Sequence, residues 1–429
     1  MAQDEQPQAL RDYFLGLEMH GIKLGLSNIE QLLDAAGQPH NQFPAVHVAG
    51  TNGKGSVLAF LDTMLRGAGV HTGRFTSPHL LDVTERFLVD AQSMSSPDLD
   101  GHIAFFRDVA QASNLSPTFF EVCTAIAFRH FAQSKVQVGL IETGMGGRLD
   151  STNVILPVST AITNIAFDHT AYLGTTLEQI AAEKAGILKP GVPAVLSECR
   201  SVPGEVILEH AKSIDAPVYL LGRDFTYSLT GTPWQPCFSY ESPSLHLKEV
   251  PLGLAGRHQG SNAAVATTLA TLLRPTIPAL DEKAIREGLS ATRWPCRNER
   301  VLDTPPVYMD VAHNAAGAAE VAEQYQNCVT VLSVSSDKDA AGIIRAIATA
   351  SSTLLLTCFS GGRSLSTARL TEAAADHDYY VVPHLAEAIE EGLRLASPEH
   401  PLLITGSIYA AGEARRLLIE KHGAAPLAF

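Results

Sequence analysis

The segment from Phe43 to Ser56 constrains this sequence more than any other. Phe43 to Gly50 reads FPAVHVAG, an apolar and β-branched run typical of a buried strand, and Gly50 to Ser56 reads GTNGKGS. The residues that follow have the apolar spacing of an amphipathic helix. A strand, a glycine-rich turn and a helix in this order form the first part of a βαβ unit, and they therefore predict a parallel sheet.

The same segment indicates a phosphate-binding loop. Backbone N–H groups at the start of a helix attract a polyphosphate, and Lys54 adds a positive charge beside them. The loop departs from the common phosphate-loop motif, because Gly55 follows the lysine where Ser or Thr is usual and Val48 replaces the first glycine. A glycine-rich turn can also be purely structural, and this alternative stays open at this point.

Strand and helix patterns alternate along most of the chain. Val136 to Gly144 and Val158 to Ile165 are further strand patterns that end in turns, and Thr175 and Glu178 have the spacing of a capping box before the next helix. The short alternating segments from Tyr219 to Glu249 predict a small antiparallel sheet instead.

The polar, proline-rich segment from Thr292 to Pro306 is interpreted as a domain connector, around which we expect hinge motion. Beyond it, five strand patterns alternate with helices: VYMDVAHN, CVTVLSVS, STLLLTCFS, YYVVP and PLLITGS. We predict an α/β fold whose large N-terminal phosphate-loop domain, residues 1–296, has a mainly parallel sheet and a small antiparallel sheet. A smaller C-terminal Rossmann-like α/β domain is predicted over residues 297–429.

Composition excludes several classes of protein. The 429 residues carry 31 Lys and Arg against 45 Asp and Glu, a net charge of −14, which disfavours nucleic acid as a partner. The 6 cysteines, Cys199 among them, form no CxxC pair and are interpreted as free thiols. The acidic N-terminus lacks the features of a signal peptide, and no apolar run reaches the roughly 20 residues that span a bilayer. We therefore expect a cytoplasmic protein with no membrane partner.

Several polar residues follow the predicted strands, at the edge where a parallel α/β sheet places its ligands. Glu142 follows an apolar run, and an acidic residue there can hold Mg²⁺ opposite a phosphate loop. Asp168 and His169 follow a later strand, and the segment Asp310 to Asn314 ends the first strand beyond the connector. Taken alone, each is equally typical of a solvated surface group, a core histidine or, for Asn314, a helix cap.

Together, these and other segments resemble folylpolyglutamate and dihydrofolate synthases, a branch of the Mur ligase family of ATP-dependent amide-forming enzymes. The resemblance covers nearly the whole chain, and the unusual phosphate loop matches this family's own version. It rests on the ordered segments KLGL, HVAGTNGKGSV, SPHL, FFE, ETGMGGRLDSTN, DHTAYLG, EKAGILK, HQGSNA, DVAHN and ITGSIYAAGEAR.

The resemblance implies a role for each matched site residue. It assigns binding of ATP to Asn52, Gly53, Lys54, Gly55, Ser56, Asn262, Arg297, Asp310 and His313. It assigns Mg²⁺, as two ions, to Ser56, Ser77, Glu142, His169 and a carbamylated Lys184, and catalysis to Lys54, Glu142, His169 and Lys184. A carbamate converts a cation into an oxygen donor, which suits Mg²⁺. It assigns the pterin substrate to Thr118, Phe119, Phe120, Glu121, Leu149, Asp150 and Ser151. Either phenylalanine is equally typical of the core.

The implied reaction joins L-glutamate to the carboxylate of a folate or of dihydropteroate. The carboxylate attacks the γ-phosphate of ATP, and the glutamate amine then displaces phosphate from the acyl phosphate. The alternatives are another Mur-type amino-acid ligase, a phosphate-loop ATPase without an amine acceptor, and a non-catalytic binding module, which conflicts with the presence of every matched ligand residue. The choice between the two synthase activities, or both, stays open, and the resemblance implies a monomer.

One departure from the family lies in the connector. The family usually reads Trp-Pro-Gly-Arg there, whereas this chain has Trp294, Pro295, Cys296 and Arg297 in these places. If the glycine serves to adopt a positive φ, Cys296 is strained in this chain.

Overall fold

The computed structural model describes residues 7–21, 23–197 and 201–429. Cys199 lies outside these residues, and the other five cysteines are free thiols: Cys123, Cys237, Cys296, Cys328 and Cys358. Within the described residues, no helix is both long enough and apolar enough to cross a bilayer.

The first half of the chain builds a large, mainly parallel sheet. Its described strands are β1 (Ala45–Ala49), β2 (Thr72–Phe75), β3 (Phe87–Val89), β4 (Gln92–Ser93), β5 (Val138–Glu142), β6 (Ser159–Ile162), β7 (Ala194–Leu196) and β8 (Val218–Leu220). Their spatial order is β4-β3-β2-β5-β1-β6-β7-β8, and only the pairings of β3 with its two neighbours are antiparallel. In the register, Val48 of β1 lies opposite Glu142 of β5, so the glycine loop after β1 begins beside that carboxylate.

Two further sheets follow in the chain. A three-stranded antiparallel sheet contains β9 (Thr226–Thr232), β10 (Gln235–Ser242) and β11 (Leu245–Pro251). The third sheet contains β12 (Glu299–Asp303), β13 (Pro306–Met309), β14 (Cys328–Leu332), β15 (Ser351–Cys358), β16 (Tyr380–His384) and β17 (Leu402–Thr405), in the order β12-β13-β17-β14-β15-β16. All its pairings are parallel except that of the edge strand β12.

Helices cover both faces of the two parallel sheets. They are α1 (Pro7–Gly16), α2 (Ser27–Ala35), α3 (Lys54–Gly67), α4 (Ser96–Ala112), α5 (Phe119–Gln133), α6 (Thr170–Leu173), α7 (Leu177–Ala185), α8 (Val202–Ser213), α9 (Gln259–Leu273), α10 (Glu282–Ala291), α11 (Ala315–Ala322), α12 (Ala340–Ala348), α13 (Thr367–Ala373), α14 (Leu385–Leu395) and α15 (Ile408–His422). Short 3₁₀ helices occupy Leu17–His20, Pro39–Asn41, Val83–Arg86 and Ser151–Val154.

The strand alternation decides which helices meet which face of the large sheet. Val46 and Val48 of β1 pack into the core with α3, α9 and α10, whereas Ala45 faces the core formed with α1, α2, α4 and α5. Both faces of β1 are covered in this way, so β1 has no exposed residue, and all its residues except His47 are apolar. The predicted α/β fold class is confirmed.

Three predictions of secondary structure need correction. Tyr219 belongs to β8 of the large sheet, and the antiparallel sheet begins only at Thr226, because the turn between them reverses the chain. The connector contains the edge strand β12, which its prolines flank without interrupting. The capping box uses Thr176 and Gln179, one residue later than predicted, because both pairs have the same spacing. The division into residues 1–296 and 297–429 stays a prediction.

Candidate active site

A cleft of about 670 Å³ lies where the carboxyl ends of the two parallel sheets face each other. Its lining comes from both halves of the chain. Every residue predicted to bind nucleotide or metal lines it: Asn52, Gly53, Lys54, Gly55, Ser56, Ser77, Glu142, His169, Lys184, Asn262, Arg297, Asp310 and His313. The tertiary structure therefore brings together residues spread over more than half of the sequence.

The phosphate loop leaves the start of α3 open to a ligand. Gly53 is the N-cap, with φ of +89°, and no side chain caps the helix. A side chain at Gly53 would collide with Asn262, since a Cβ atom there would lie 2.4 Å from Asn262 Oδ1. The uncapped N–H groups of the first turn are thus available to bind an anion, as polyphosphate binding requires.

Lys54 is folded back onto the loop and toward Glu142. Its Nζ donates to the carbonyl oxygens of Gly50 at 3.1 Å and Thr51 at 3.2 Å, and lies 3.7 Å from Glu142 Oε1. Burial raises the pKa of Glu142, while Lys54 and the N–H of Ser77, which donates to Oε2 at 3.1 Å, oppose this rise. Glu142 is buried and Lys54 is partly buried, so their attraction offsets part of the cost of removing the carboxylate from water.

Lys184 lies near the end of α7 and is buried. Burial, together with a smaller effect of the charge of Lys54, lowers its pKa to about 7. Among the described residues, no carboxylate lies within ion-pair distance of its Nζ. A substantial fraction of this side chain is therefore a neutral amine near neutral pH.

Asp168 and His169 form the meeting point of the two halves. Lys338, from the loop after β14, donates to Asp168 Oδ1 at 2.6 Å, and His313 Nε2 lies 3.5 Å from Oδ2. Burial opposes ionisation of Asp168, but these contacts and His169 hold the pKa of Asp168 well below its usual value. Burial lowers the pKa of His169 to about 4, so its imidazole is neutral at pH 7.

Asp310 is held rigidly at the end of β13. Its carboxylate accepts the N–H of Asn298 at 2.9 Å and of Ala312 at 2.7 Å, and burial raises its pKa although Arg297 opposes the rise. Cys296, which precedes Arg297, has φ of +53°. A left-handed conformation favours glycine, and this agrees with the strain expected for the departure from the family motif.

The residues predicted to contact the pterin lie outside this lining. They have structural contacts: Thr118 and Glu121 form the capping box of α5, and Asp150 caps the 3₁₀ helix Ser151–Val154. Phe119 is buried in the core, whereas the partly buried Phe120 lies against Gly144, which does line the cleft. Leu149 and Ser151 flank Asp150, whose carboxylate accepts the N–H of Met145 at 2.8 Å. These residues adjoin the cleft through Gly144 and Met145 without facing it.

Lys338 and Arg363 are cleft residues that sequence reasoning missed. Both follow strands of the C-terminal sheet, and both line the cleft. The signal for Lys338 is its place in Ser335 to Asp339, directly after an apolar strand, where a doubly wound sheet binds ligands. Asn314 was assigned only as a helix cap. It does cap α11, and its Nδ2 also donates to Asn52 Oδ1 across the cleft at 2.9 Å.

The metal-ligand donors around the phosphate loop suit a hard cation that phosphate oxygens also bind. In the described part of the chain, no group of three His, Cys, Asp or Glu side chains could hold a metal ion alone. Ser56, Ser77, Glu142 and the neutral His169 line the same cleft as the loop. Such a set suits Mg²⁺, which usually takes one or two carboxylates together with phosphate oxygens and water.

Comparisons with known proteins agree with this geometry. The family model of the Mur ligase middle domain matches residues 48–270, and that of the Mur ligase glutamate ligase domain matches residues 296–408. The dihydrofolate synthase/folylpolyglutamate synthase of Bacillus subtilis is 33% identical over 424 residues, which cover 96% of this chain and 99% of the relative.

Two solved structures are similar over almost their whole length. Folylpolyglutamate synthase of Mycobacterium tuberculosis, complexed with ADP and AMPPCP, has a TM-score of 0.89 and 31% identity and covers 99% of this chain and 100% of its own. The bifunctional folylpolyglutamate synthase/dihydrofolate synthase of Yersinia pestis, complexed with AMPPNP and a Mn ion, has a TM-score of 0.86 and 28% identity, with 97% and 98% covered.

Proposed function

This chain belongs to the Mur ligase family, and from that premise we propose that it is an ATP-dependent ligase that joins L-glutamate to the carboxylate of a folate or of dihydropteroate. The observation that carries the proposal is the single cleft in which the phosphate loop, Glu142 and Lys184 of one half meet Asp310, His313 and Lys338 of the other. The named relatives, two of them solved with adenine nucleotides, support ATP as the phosphoryl donor.

The first step brings two anions together, and the charges of the cleft make this possible. The acceptor carboxylate attacks the γ-phosphorus of ATP, the bond to the β,γ-bridging oxygen breaks, and an acyl phosphate and ADP are formed. Lys54 and the N–H groups at the start of α3 would stabilise the charge on the transferred phosphoryl group. When bound, Mg²⁺ would neutralise further phosphate charge, held by Ser56, Ser77, Glu142 and His169.

In the second step the glutamate amine attacks the acyl carbon and phosphate leaves, so that an amide forms and one proton is released. The acyl phosphate would hydrolyse in open water. Residues of both halves surround the cleft, and the cross-cleft contacts of Lys338 with Asp168 and of Asn314 with Asn52 would limit the entry of water.

We also propose that Lys184 carries a carbamate. The neutral amine would attack CO₂, forming an N–C bond and releasing a proton, and the product would present oxygen donors to Mg²⁺. The buried amine without an ion-pair partner, whose pKa burial lowers to about 7, supports this proposal. Isotope-labelled bicarbonate should label the wild-type protein and a Lys189→Met control but not Lys184→Met. Equal labelling of all three proteins would contradict it.

The function is tested by glutamate-dependent release of ADP. The purified protein is assayed with Mg-ATP and bicarbonate, in parallel with dihydropteroate and with tetrahydrofolate as acceptor. Turnover with both acceptors is expected of a bifunctional enzyme, and turnover with one assigns a single activity. ADP release that does not depend on glutamate would favour the phosphate-loop ATPase alternative, and turnover only with another carboxylate would favour a different Mur-type ligase.

A monomeric state and a cytoplasmic location belong to the same proposal. Sedimentation of the protein with and without Mg-ATP tests the first, and fractionation of the source cells tests the second.

A further inference from the structure

Arg86 is a buried cation that forms no direct ion pair with a described residue. It ends the 3₁₀ helix Val83–Arg86 and is 6% exposed. Its Nε donates to Nδ1 of His79 at 2.9 Å, and its guanidinium carbon lies 5.3 Å from the centre of the Phe119 ring. Among the described residues, no carboxylate pairs with it and its two terminal nitrogens donate to no acceptor.

An arginine elsewhere in the same half shows why this is unusual. Arg129 makes the same two kinds of contact, with Nδ1 of His102 at 2.8 Å and with the Phe105 ring at 4.1 Å. Arg129 is only partly buried, so water can solvate its charge. Arg86 is more deeply buried, and the carboxylate on which its charge acts, that of Glu142, forms no direct ion pair with it in the described structure. Its terminal N–H groups are therefore free to bind a second anion.

The position of Arg86 indicates which anion its guanidinium binds. His79 comes two residues after Ser77, whose N–H donates to Glu142, and two residues span at most about 7 Å. On its other side, Arg86 stacks on Phe119, in the segment assigned to the pterin substrate. Arg86 thus contacts the segment expected to bind the heterocycle, and its charge acts on Glu142 at the phosphate end of the cleft.

The local charge and shape favour a carboxylate. His79 Nδ1 accepts the N–H of Arg86 Nε, so this ring nitrogen carries no proton and Arg86 supplies the positive charge. Two free, coplanar N–H donors match the two oxygens of a carboxylate. The loop that presents them is rigid, because Glu85 accepts the N–H groups of Leu80, Leu81 and Asp82 at 2.7 to 2.9 Å.

We propose that Arg86 binds the carboxylate of the folate or dihydropteroate acceptor through its terminal nitrogens, with Phe119 behind the guanidinium and His79 holding its Nε. The inference rests on the proposed function and adds to it a residue that positions the acceptor for attack.

Binding of pteroic acid and of its carboxamide, in the presence of Mg-ADP, tests the proposal. Isothermal titration should show that the wild-type protein prefers the acid by about 10- to 100-fold, and that Arg86→Gln reduces this preference to less than threefold. Arg129→Gln, the matched control, should keep the full preference. Should Arg86→Gln fail to fold, Arg86→Lys keeps the charge without the paired donors and should lose most of the preference.

The outcomes separate the two proposals. If the acid binds and Arg86→Gln keeps the wild-type preference, Arg86 does not hold the carboxylate, although the proposed function survives. If neither compound binds the wild-type protein, the acceptor class itself is wrong and the assignment of Arg86 is overturned with it.

Discussion

The carboxyl ends of the two parallel sheets differ in how their charges are balanced. In the N-terminal half, Lys54 finds its partners within that half: it donates hydrogen bonds to two loop carbonyls and forms an ion pair with Glu142. In the C-terminal sheet, Lys338 reaches across the cleft to Asp168 at 2.6 Å. The phosphate-binding end is thus assembled by local chain geometry, whereas Lys338 reaches its nearest carboxylate only when the two halves meet.

This difference predicts which step each half controls. Changes in the N-terminal edge should weaken phosphoryl transfer itself, whereas loss of the ion pair of Lys338 at the C-terminal edge should leave nucleotide binding intact while it weakens ligation. Substitutions at Lys54, Lys338, His47 and Cys296 test this contrast, with progressively smaller effects.

Lys54→Met should lower kcat by about 100- to 1,000-fold, because it removes the charge nearest the transferred phosphoryl group and leaves Glu142 buried without its ion-pair partner. Steady-state ADP release measures the effect, and a melting curve checks the fold. A loss of less than tenfold would mean that the loop N–H groups carry phosphoryl transfer without the lysine.

Lys338→Met should lower kcat/KM for glutamate by about tenfold or more, while the Kd of ADP changes by less than threefold, because the lost ion pair joins the halves without touching the loop. Titration with ADP and the coupled assay give the two values. A matched control is Lys283→Met, whose exposed lysine pairs within α10. Weaker ADP binding in Lys338→Met would break the contrast between the two edges.

The N-terminal sheet should be the more sensitive to acid. Burial lowers the pKa of His47 to about 3, helped by Lys189, and its Nδ1 has no hydrogen-bond partner. Its Nε2–H donates to Thr152 Oγ1, since that hydroxyl donates to Asp150. The described strands of the C-terminal sheet contain no buried histidine.

The direction in which pH changes the free energy of unfolding follows from proton uptake. Unfolded His47 is protonated below about pH 6.5 and folded His47 only near pH 3, so the unfolded state binds more protons between these values. The free energy of unfolding should therefore fall by about 1.4 kcal/mol per pH unit below pH 6.5. Hydrogen exchange at pH 7 and pH 5 should show faster opening of β1 than of β14, and His47→Leu should reduce the difference. Equal acceleration in both strands would contradict the expectation.

The smallest effect concerns Cys296. Replacement by Gly or Ala removes the same buried sulfur, but only Gly relieves the positive φ, so Cys296→Gly should be more stable than Cys296→Ala by about 1 kcal/mol. At Cys328, which is buried in the extended strand β14, the order should be reversed. Urea unfolding of the four variants measures both differences. The same order at both positions would show that backbone strain does not decide stability at Cys296.

Much of the fold could be predicted from the sequence, because the patterns that specify its strands, helices and loop are local. The run before Gly50 predicted β1, and the glycines and Lys54 predicted the loop, since a strand, an open helix start and a cation need only neighbouring residues. The boundary errors have equally local causes. Two overlapping capping boxes fit the same spacing before α7, and the edge strand β12 carries a polar sequence that resembles a loop.

Local sequence patterns could not predict contacts between segments that are distant in the chain. Lys338 and Asp168 are 170 positions apart, and Asn52 and Asn314 are 262 apart, so no local spacing connects them. The free donors of Arg86 are of the same kind, because burial and the lack of a hydrogen-bond acceptor among the described residues are properties of the folded chain.

Periodicity and ordered motifs in the sequence were enough to establish the alternation of strands and helices, the phosphate loop and the family to which the chain belongs. Which charges share the cleft and which are buried depends on the fold, and burial in that fold lowers the pKa of Lys184 and of His169 and raises that of Glu142. Solvation and Coulomb energies depend on distances in space, and these distances are set when the chain folds.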